Sequence, residues 1–340
     1  MIAVTPLLLT LKHPFRIAHG SSLVRNNALV RIGPGFGEAA LPPYYPTTFQ
    51  DVKEYVLDNE NLLIDALRSN PIDLIGTLSK LPPGPSPAIA AIDQALHDLW
   101  GKQLGKPLFS LFGIHPSAIP PSSYALPIPE SLADLDDQLD SLLHFPFLKL
   151  KIGSGNPDFD EAIVRRTRER FDGTLCADVN AGWALDVALK KIPAMADLDL
   201  AFIEQPIKAG ENDDWHLLKR MLPNNRVPLI ADESVQGPND IIELAGAVSG
   251  VNIKLAKCGG IQPAIRMIHL ARALDLSVML GCMIESSVAL TAAAHLGGLV
   301  DYLDLDGQLH LAKDPFSGLS FDAGKISLPA GPGLGVVERT

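Results

Sequence analysis

The chain has 340 residues, 47% of them hydrophobic, and a formal charge of −11 from 28 basic and 39 acidic residues. Its length exceeds that of a usual single domain, and the acidic balance argues against nucleic acid or an anionic membrane as partner. No apolar run reaches the roughly 18 residues of a membrane span, and Lys12, His13 and Pro14 follow the first apolar stretch where a secretory leader would have its charges first, so a cytoplasmic location is expected.

In chain order, Val4 to Leu11, Asn27 to Ile32 and Gly37 to Ala40 read as strands, with Gly20, Ser21 and Ser22 as a flexible link between the first two. Residues 49–69 and 87–104 carry helical spacing, Ala91, Ala95 and Leu99 forming one stripe. Pro116, Pro120 and Pro121 mark a break. Beyond it, Tyr124 to Ile128 opens a series of short apolar runs, each followed by a helical segment. The later runs contain or end in Lys149 and Lys151, Asp178, Glu204, Asp232, Lys254, Glu285, and Asp304 with Asp306. Helices are expected at 160–170, 215–221, 238–245 and 263–274. Their period fits a strand, a loop and a helix, and a ring of such parallel strands would bring all the charged ends to one mouth. The three cysteines, Cys176, Cys258 and Cys282, lack Cys-x-x-Cys spacing and read as buried thiols.

Three of those ends are carboxylates. Asp178, Glu204 and Asp232 would repel one another unless a cation lay between them, and all-oxygen ligation suits a hard ion such as Mg²⁺. The bland alternative is that each caps a helix or pairs with a lysine. Lys149 and Lys151, two apart on a strand, point the same way. Beside each other and a dication, their pKa values are expected to fall, giving a neutral lysine base. Lys254 lies across the ring by strand count, so a base would flank each face of one carbon, as inversion of a stereocentre requires. Lys257 is expected to bond loop carbonyls near Gly259 and Gly260. Asp304 and Asp306, away from the carboxylate trio, form a pocket for a cation such as a substrate ammonium group; a salt bridge to an arginine of the N-terminal part is the alternative.

With these residues in view, the chain resembles the muconate-lactonizing-enzyme branch of the enolase superfamily. The resemblance rests on Leu148-Lys-Leu-Lys-Ile-Gly153, Asp178-Val-Asn180, Ile203-Glu-Gln-Pro206, Ala231-Asp-Glu-Ser234 and Asn252-Ile-Lys-Leu-Ala-Lys-Cys-Gly-Gly260. Gly37-Glu-Ala-Ala40, the stretch Ala91 to Lys102 and Pro332-Gly-Leu-Gly-Val336 add to it, so it spans almost the whole chain. It implies an α/β fold: a modified TIM barrel, (β/α)7β, with an α+β capping domain built from the N-terminal segment and the C-terminal tail. The expected divisions are 1–118, 119–308 and 309–340. It also implies Asp178, Glu204 and Asp232 as Mg²⁺ ligands, Lys151 and Lys254 as the acid/base pair, and an enediolate intermediate. Lys149 would tune Lys151 and touch the substrate carboxyl oxygen, with Asn180 and Glu233 supporting the ligands.

Within that branch, Asp304-x-Asp306 resembles the dipeptide epimerases, where such a pair receives the substrate's N-terminal ammonium. Gly281-Cys-Met-Ile-Glu285 resembles their seventh strand, whose backbone near Cys282 and Ile284 holds the peptide. The expected reaction is epimerisation at the C-terminal residue of an L,L-dipeptide. The alternative is another reaction of the same branch: muconate cycloisomerase, o-succinylbenzoate synthase or N-acylamino acid racemase. The expected partner is a small-molecule dipeptide, with no nucleic acid and no membrane, and a homo-oligomer is left open. Epimerases acting on Ala-Glu can carry an arginine in the loop after the first strand. Gly20 stands at that position here, with His19 and Arg25 nearby, so a small or hydrophobic second residue is expected.

Overall fold

The structure is a computed structural model that describes residues 1–210 and 212–339. Its N-terminal part is an antiparallel sheet of β1 (Ile2–Ile17), β2 (Gly20–Ile32) and β3 (Gly35–Ala39). The first two strands form one long hairpin, paired from Ile2 opposite Ile32 to Ile17 opposite Gly20. Gly20 to Ser22 therefore belong to β2, and the link expected there shrinks to Ala18 and His19. Pairing slips between Thr10 and Phe15, the stretch that holds Pro14, whose missing N–H cannot serve a ladder.

The helix Ser86–Leu104 lies against β3 so closely that a Cβ on Gly37 would sit 1.9 Å from the Ala91 carbonyl oxygen. The stretch expected as one helix from 49 to 69 is two, Phe49–Asp58 and Glu60–Arg68. Asn59 separates them, its side-chain amide donating to the Tyr55 carbonyl at 2.8 Å in competition with the backbone.

Eight parallel strands follow: β4 (Tyr124–Leu126), β5 (Phe147–Lys151), β6 (Thr174–Asp178), β7 (Ile203–Glu204), β8 (Leu229–Ala231), β9 (Gly250–Lys254), β10 (Ser277–Gly281) and β11 (Tyr302–Asp304). They pair in chain order, and the ring closes where the Ser123 N–H donates to the Leu303 carbonyl at 2.9 Å. Pro127 falls just after β4, where it interrupts no ladder bond. A helix stands between each consecutive pair, and among the described residues no α-helix follows β11. The tail instead returns to the N-terminal part: the Ala312 N–H donates to the Thr10 carbonyl of β1 at 2.8 Å, and the Leu334 N–H to Asp98 of the helix Ser86–Leu104 at 2.8 Å. A (β/α)7β barrel with a capping domain is the architecture.

Period-two alternation sorts the strands. Leu148, Leu150, Ile203, Leu229, Val251 and Ile253 face the helices and join the main core. On the other face, Phe147, Cys176, Phe202, Ile230 and Met279 form a separate buried cluster that fills the lower lumen. Two residues further along, Lys149, Asp178, Glu204 and Asp232 follow the first four of these, and Gly281 follows Met279.

Candidate active site

Lys149, Asp178, Glu204 and Asp232 are all fully buried above that apolar layer. One oxygen each of Asp178, Glu204 and Asp232 can be chosen so that all lie within 4.8 Å of one another. The Lys149 ammonium ties them to β11: it is 3.1 Å from Asp178 Oδ2, 2.7 Å from Glu204 Oε2 and 2.7 Å from Asp304 Oδ2. Asp304 is thus joined to the trio through one ammonium, not set apart from it as the sequence suggested, because the narrow lumen brings β5 and β11 together. Lys151 Nζ donates to Asp178 Oδ2 at 2.6 Å and Lys254 Nζ to Asp232 Oδ2 at 2.6 Å. Strands β5 and β9 are four apart in the ring of eight, so the two lysines approach from opposite sides.

The charges reshape one another. Burial raises the Asp178 carboxyl, but Lys149 and Lys151 outweigh it and hold the group at about 2. Burial likewise opposes ionisation of Asp232, and Lys254 and Lys257 overcome it, keeping the group below its usual range. Glu204 goes the other way, pushed up to about 8 by burial and by Asp178. The lysines do not shift downward as expected. Burial lowers Lys149, Lys151 and Lys254, but the carboxylates facing them raise all three above their ordinary value. The spacing of two residues suggested mutual repulsion, whereas each ammonium has a carboxylate oxygen within 2.7 Å.

This donor set suits a hard divalent ion. It is all oxygen and wholly buried, and Glu204 Oε2, though in ion-pair contact with Lys149, meets no donor at hydrogen-bonding geometry. A cation among the three carboxylates would relieve the repulsion that raises Glu204.

Supporting residues complete the floor. The Asn180 N–H donates to Asp178 Oδ1 at 2.9 Å, and its side chain reaches Glu233 Oε1 at 3.2 Å. Asn180 and Gln205 hold positive φ, 46° and 37°, just beyond β6 and β7, a costly conformation for residues with a Cβ. Gln205 Oε1 accepts from the Asp232 and Ser234 N–H groups at 2.8 and 3.1 Å. Asn252 donates to Glu204 Oε1 at 2.8 Å. Lys257 bonds Asp232 Oδ1 at 2.6 Å and the Asn252 carbonyl at 3.1 Å, not the carbonyls near Gly259 and Gly260, because the helical turn at Leu255–Cys258 directs it back into the barrel. Sequence reasoning missed Asn252 and Gln205. Asn252 carried a usable signal, standing two before Lys254 as Lys149 stands before Lys151.

Above the floor lies a cavity of about 60 Å³. Lys151, Lys254, Asn180, Glu233, Cys282, Ile284, Asp304 and Asp306 line it from the barrel, whereas Lys149 and the three carboxylates lie beneath its wall. Asp306 Oδ2 accepts from the Ala125 N–H at 2.6 Å and pairs with His310 Nε2 at 2.9 Å. Neither acid of the Asp304–Asp306 pair meets an arginine within 4.0 Å among the described residues.

Phe15, Ile17, Arg25, Tyr44 and Tyr45 of the capping domain close the cavity from above, and no sequence motif had singled out the aromatic three. His19, at the hairpin tip, stacks on Tyr44 and reaches to 3.7 Å from Glu233. Buried Glu38 of β3 clamps the two parts, accepting from Ser286 Oγ at 2.6 Å and from Asn27 at 2.8 Å.

Comparison with known proteins agrees with this geometry. The chain is 33% identical to an L-Ala-D/L-amino acid epimerase of Maribacter sp., over 98% of both chains. It is 39% identical to a hydrophobic dipeptide epimerase of Roseobacter litoralis, over 74% of this chain and 73% of that one. Among solved structures, the dipeptide epimerase of Methylococcus capsulatus, complexed with Mg and L-Arg-D-Lys, superposes with a TM-score of 0.85 at 32% identity, covering 99% of each chain. The family model for the mandelate racemase / muconate lactonizing enzyme N-terminal domain matches residues 2–113, and that for the enolase C-terminal domain-like part matches 134–338. The chain belongs to the mandelate racemase / muconate lactonizing enzyme family of the enolase superfamily.

Proposed function

We propose that this protein is a Mg²⁺-dependent dipeptide epimerase that inverts the α-carbon of the C-terminal residue of an L,L-dipeptide. The observation that carries the reading is one cavity lined by Lys151 and Lys254 from opposite strands and by Asp304 and Asp306 from β11. Relatives of this activity, matched over nearly the full chain, support it.

In this reading Asp178, Glu204 and Asp232 hold the Mg²⁺ ion, with Asn180 and Glu233 positioning Asp178. When bound, the ion supplies positive charge beside the substrate carboxylate, which makes the neighbouring α-proton more acidic. One of Lys151 and Lys254 removes that proton, and the other delivers a proton to the opposite face of the enediolate. Lys149, held below the cavity wall, adds fixed positive charge beneath the reacting carboxylate. Asp306, whose ion-pair partner among the described residues is His310 alone, receives the substrate ammonium together with Asp304. Backbone groups near Cys282 and Ile284 hold the peptide unit. Substrates of the rival reactions named above lack a free α-ammonium group and leave Asp306 without that task.

The test is isotopic. An L,L-dipeptide turned over in D₂O with Mg²⁺ should acquire deuterium at the α-carbon of its second residue and nowhere else, and EDTA should stop both exchange and epimerisation. Deuterium in the first residue, or turnover that persists in EDTA, would refute the proposal.

A further inference from the structure

Of the four carboxylate oxygens on Asp304 and Asp306, three are already engaged. Asp304 Oδ1 accepts from Ser123 Oγ at 2.6 Å, and its Oδ2 from Lys149 at 2.7 Å. Asp306 Oδ2 takes both the Ala125 N–H at 2.6 Å and His310 Nε2 at 2.9 Å. Only Asp306 Oδ1 meets no donor among the described residues, and Asp306 lines the cavity. A substrate ammonium group therefore finds its free acceptor on Asp306, and the groups that touch this carboxylate govern its capture.

His310 is built into that position. It ends the short helical turn Gly307–His310 just beyond β11, which carries its ring back onto Asp306, four residues earlier. Phe15 of the cap meets the imidazole edge to face with centroids 4.8 Å apart, and Tyr124 of β4 flanks it at 5.0 Å. The side chain is 10% exposed, and among the described residues Asp306 is its one carboxylate within 4.0 Å.

The charge on that ring decides what the subsite can do. An ionised carboxylate only accepts, so Nε2 carries the proton in this contact. With Nδ1 protonated as well, the imidazolium would cancel the charge of Asp306, while Lys149 already faces Asp304. Two cations would then compete for one buried carboxylate. A neutral imidazole instead holds the carboxylate in place and leaves its charge to the guest.

We propose that His310 is a positioning residue for substrate capture: neutral in the complex and donating from Nε2, it fixes the Asp306 carboxylate so that Oδ1 and the full negative charge meet the ammonium group. The proposal rests on the epimerase reading and assigns the residue on which its ammonium subsite depends.

The measurement compares L-Ala-L-Leu with propionyl-L-leucine, the same molecule with hydrogen in place of the ammonium group. The wild type, His310→Gln, His310→Leu and His310→Lys are each assayed with Mg²⁺ for α-proton exchange. The readout is the ratio of the two kcat/KM values within each protein, which cancels any general loss of activity, with KM and kcat recorded separately for the dipeptide. The wild type should prefer the dipeptide by about 100-fold or more. His310→Gln, which keeps a neutral donor, should hold that preference within about threefold, and His310→Leu, which has none, should lose about tenfold of it. His310→Lys, which installs a fixed cation, should leave a preference below about threefold, through KM with kcat little changed. A side chain that only fills space would move the ratio alike in the glutamine and lysine variants, or in neither. Equal ratios in those two would therefore overturn the proposal, as would a wild type that does not distinguish the two ligands. Should His310→Lys fail to fold, the other two decide it, with retention in both or loss in both counting against the proposal. Absence of exchange on both ligands in the wild type would instead sink the epimerase reading, and the same ratios taken from calorimetric Kd values would then judge His310 by itself.

Discussion

Two layers of the barrel lumen are built from the same strands and differ in almost everything else. Phe147, Phe202, Ile230 and Met279 fill the lower one; Lys149, Glu204, Asp232 and Gly281 stand two residues further along the same four strands. The lower layer keeps water from reaching the upper one from beneath, and in a water-poor site each ion pair is stronger and each unpaired charge more costly. The contrast teaches that the apolar plug is a condition of the chemistry above it. The upper layer works because every buried charge there has a partner of opposite sign.

Breaking the upper layer should have the largest effect. Lys151→Ala or Lys254→Ala should each lower kcat/KM for epimerisation by about 10³-fold or more, roughly 4 kcal/mol of transition-state stabilisation. NMR in D₂O sharpens the result, since each variant keeps one base and should still exchange the α-proton of one epimer, a different one in each case. Both variants epimerising within tenfold of the wild type would remove the two-lysine mechanism.

Breaking the lower layer should cost stability first. Phe202 is fully buried among Phe147 and Tyr302, so Phe202→Ala should lower the unfolding free energy by about 3–5 kcal/mol in urea titrations. Activity per folded molecule should suffer far less than in the lysine variants. A loss below about 1 kcal/mol would mean that the plug can collapse around the gap and contributes little.

A third site sharpens the comparison by showing burial without counter-charge. His295 is fully buried, accepts at Nδ1 from the Phe109 N–H at 3.2 Å, and donates from Nε2 to the Leu334 carbonyl at 3.2 Å. Burial depresses it from the ordinary 6.5 to about 4, opposite in direction to the ion-paired lysines. Between those values the unfolded chain binds a proton that the folded one refuses. Its contribution is therefore intact above pH 6.5 and is lost as pH falls towards 4, by up to roughly 3 kcal/mol. Urea unfolding of the wild type and His295→Gln at pH 7 and pH 4.5 should show the gap between them narrowing in acid. A gap constant with pH would contradict this assignment.

Much of the site is legible in the sequence itself. Charges at the C-terminal ends of regularly spaced apolar runs pointed to one barrel mouth, and Lys149, Lys151, Asp178, Glu204, Asp232 and Lys254 do gather there. Spacing along a strand reports direction, which is why the shared orientation of Lys149 and Lys151 could be read. It does not report what stands opposite, which is why their pKa values were expected to fall when the facing carboxylates raise them. The same limit explains the partner of Lys257 and the link from Asp304 to the trio. The cap was harder to read, because the β1–β2 hairpin runs through Pro14 and Gly20 that local rules treat as breaks.

What the sequence by itself determined is therefore the architecture and the chemical inventory: the strand–helix period, the alternation that sends leucines outward and charges inward, and the residue types at each strand end. Only the tertiary structure decided which charges neutralise one another and which is left over. Arg25 and Gly20 are near neighbours in sequence, yet one lines the cavity and the other pairs with Ile17 at the closed end of the hairpin. The reason is physical: periodicity is a local property of a strand, whereas charge pairing depends on distances across the barrel that are set by ring closure and by the docking of the cap.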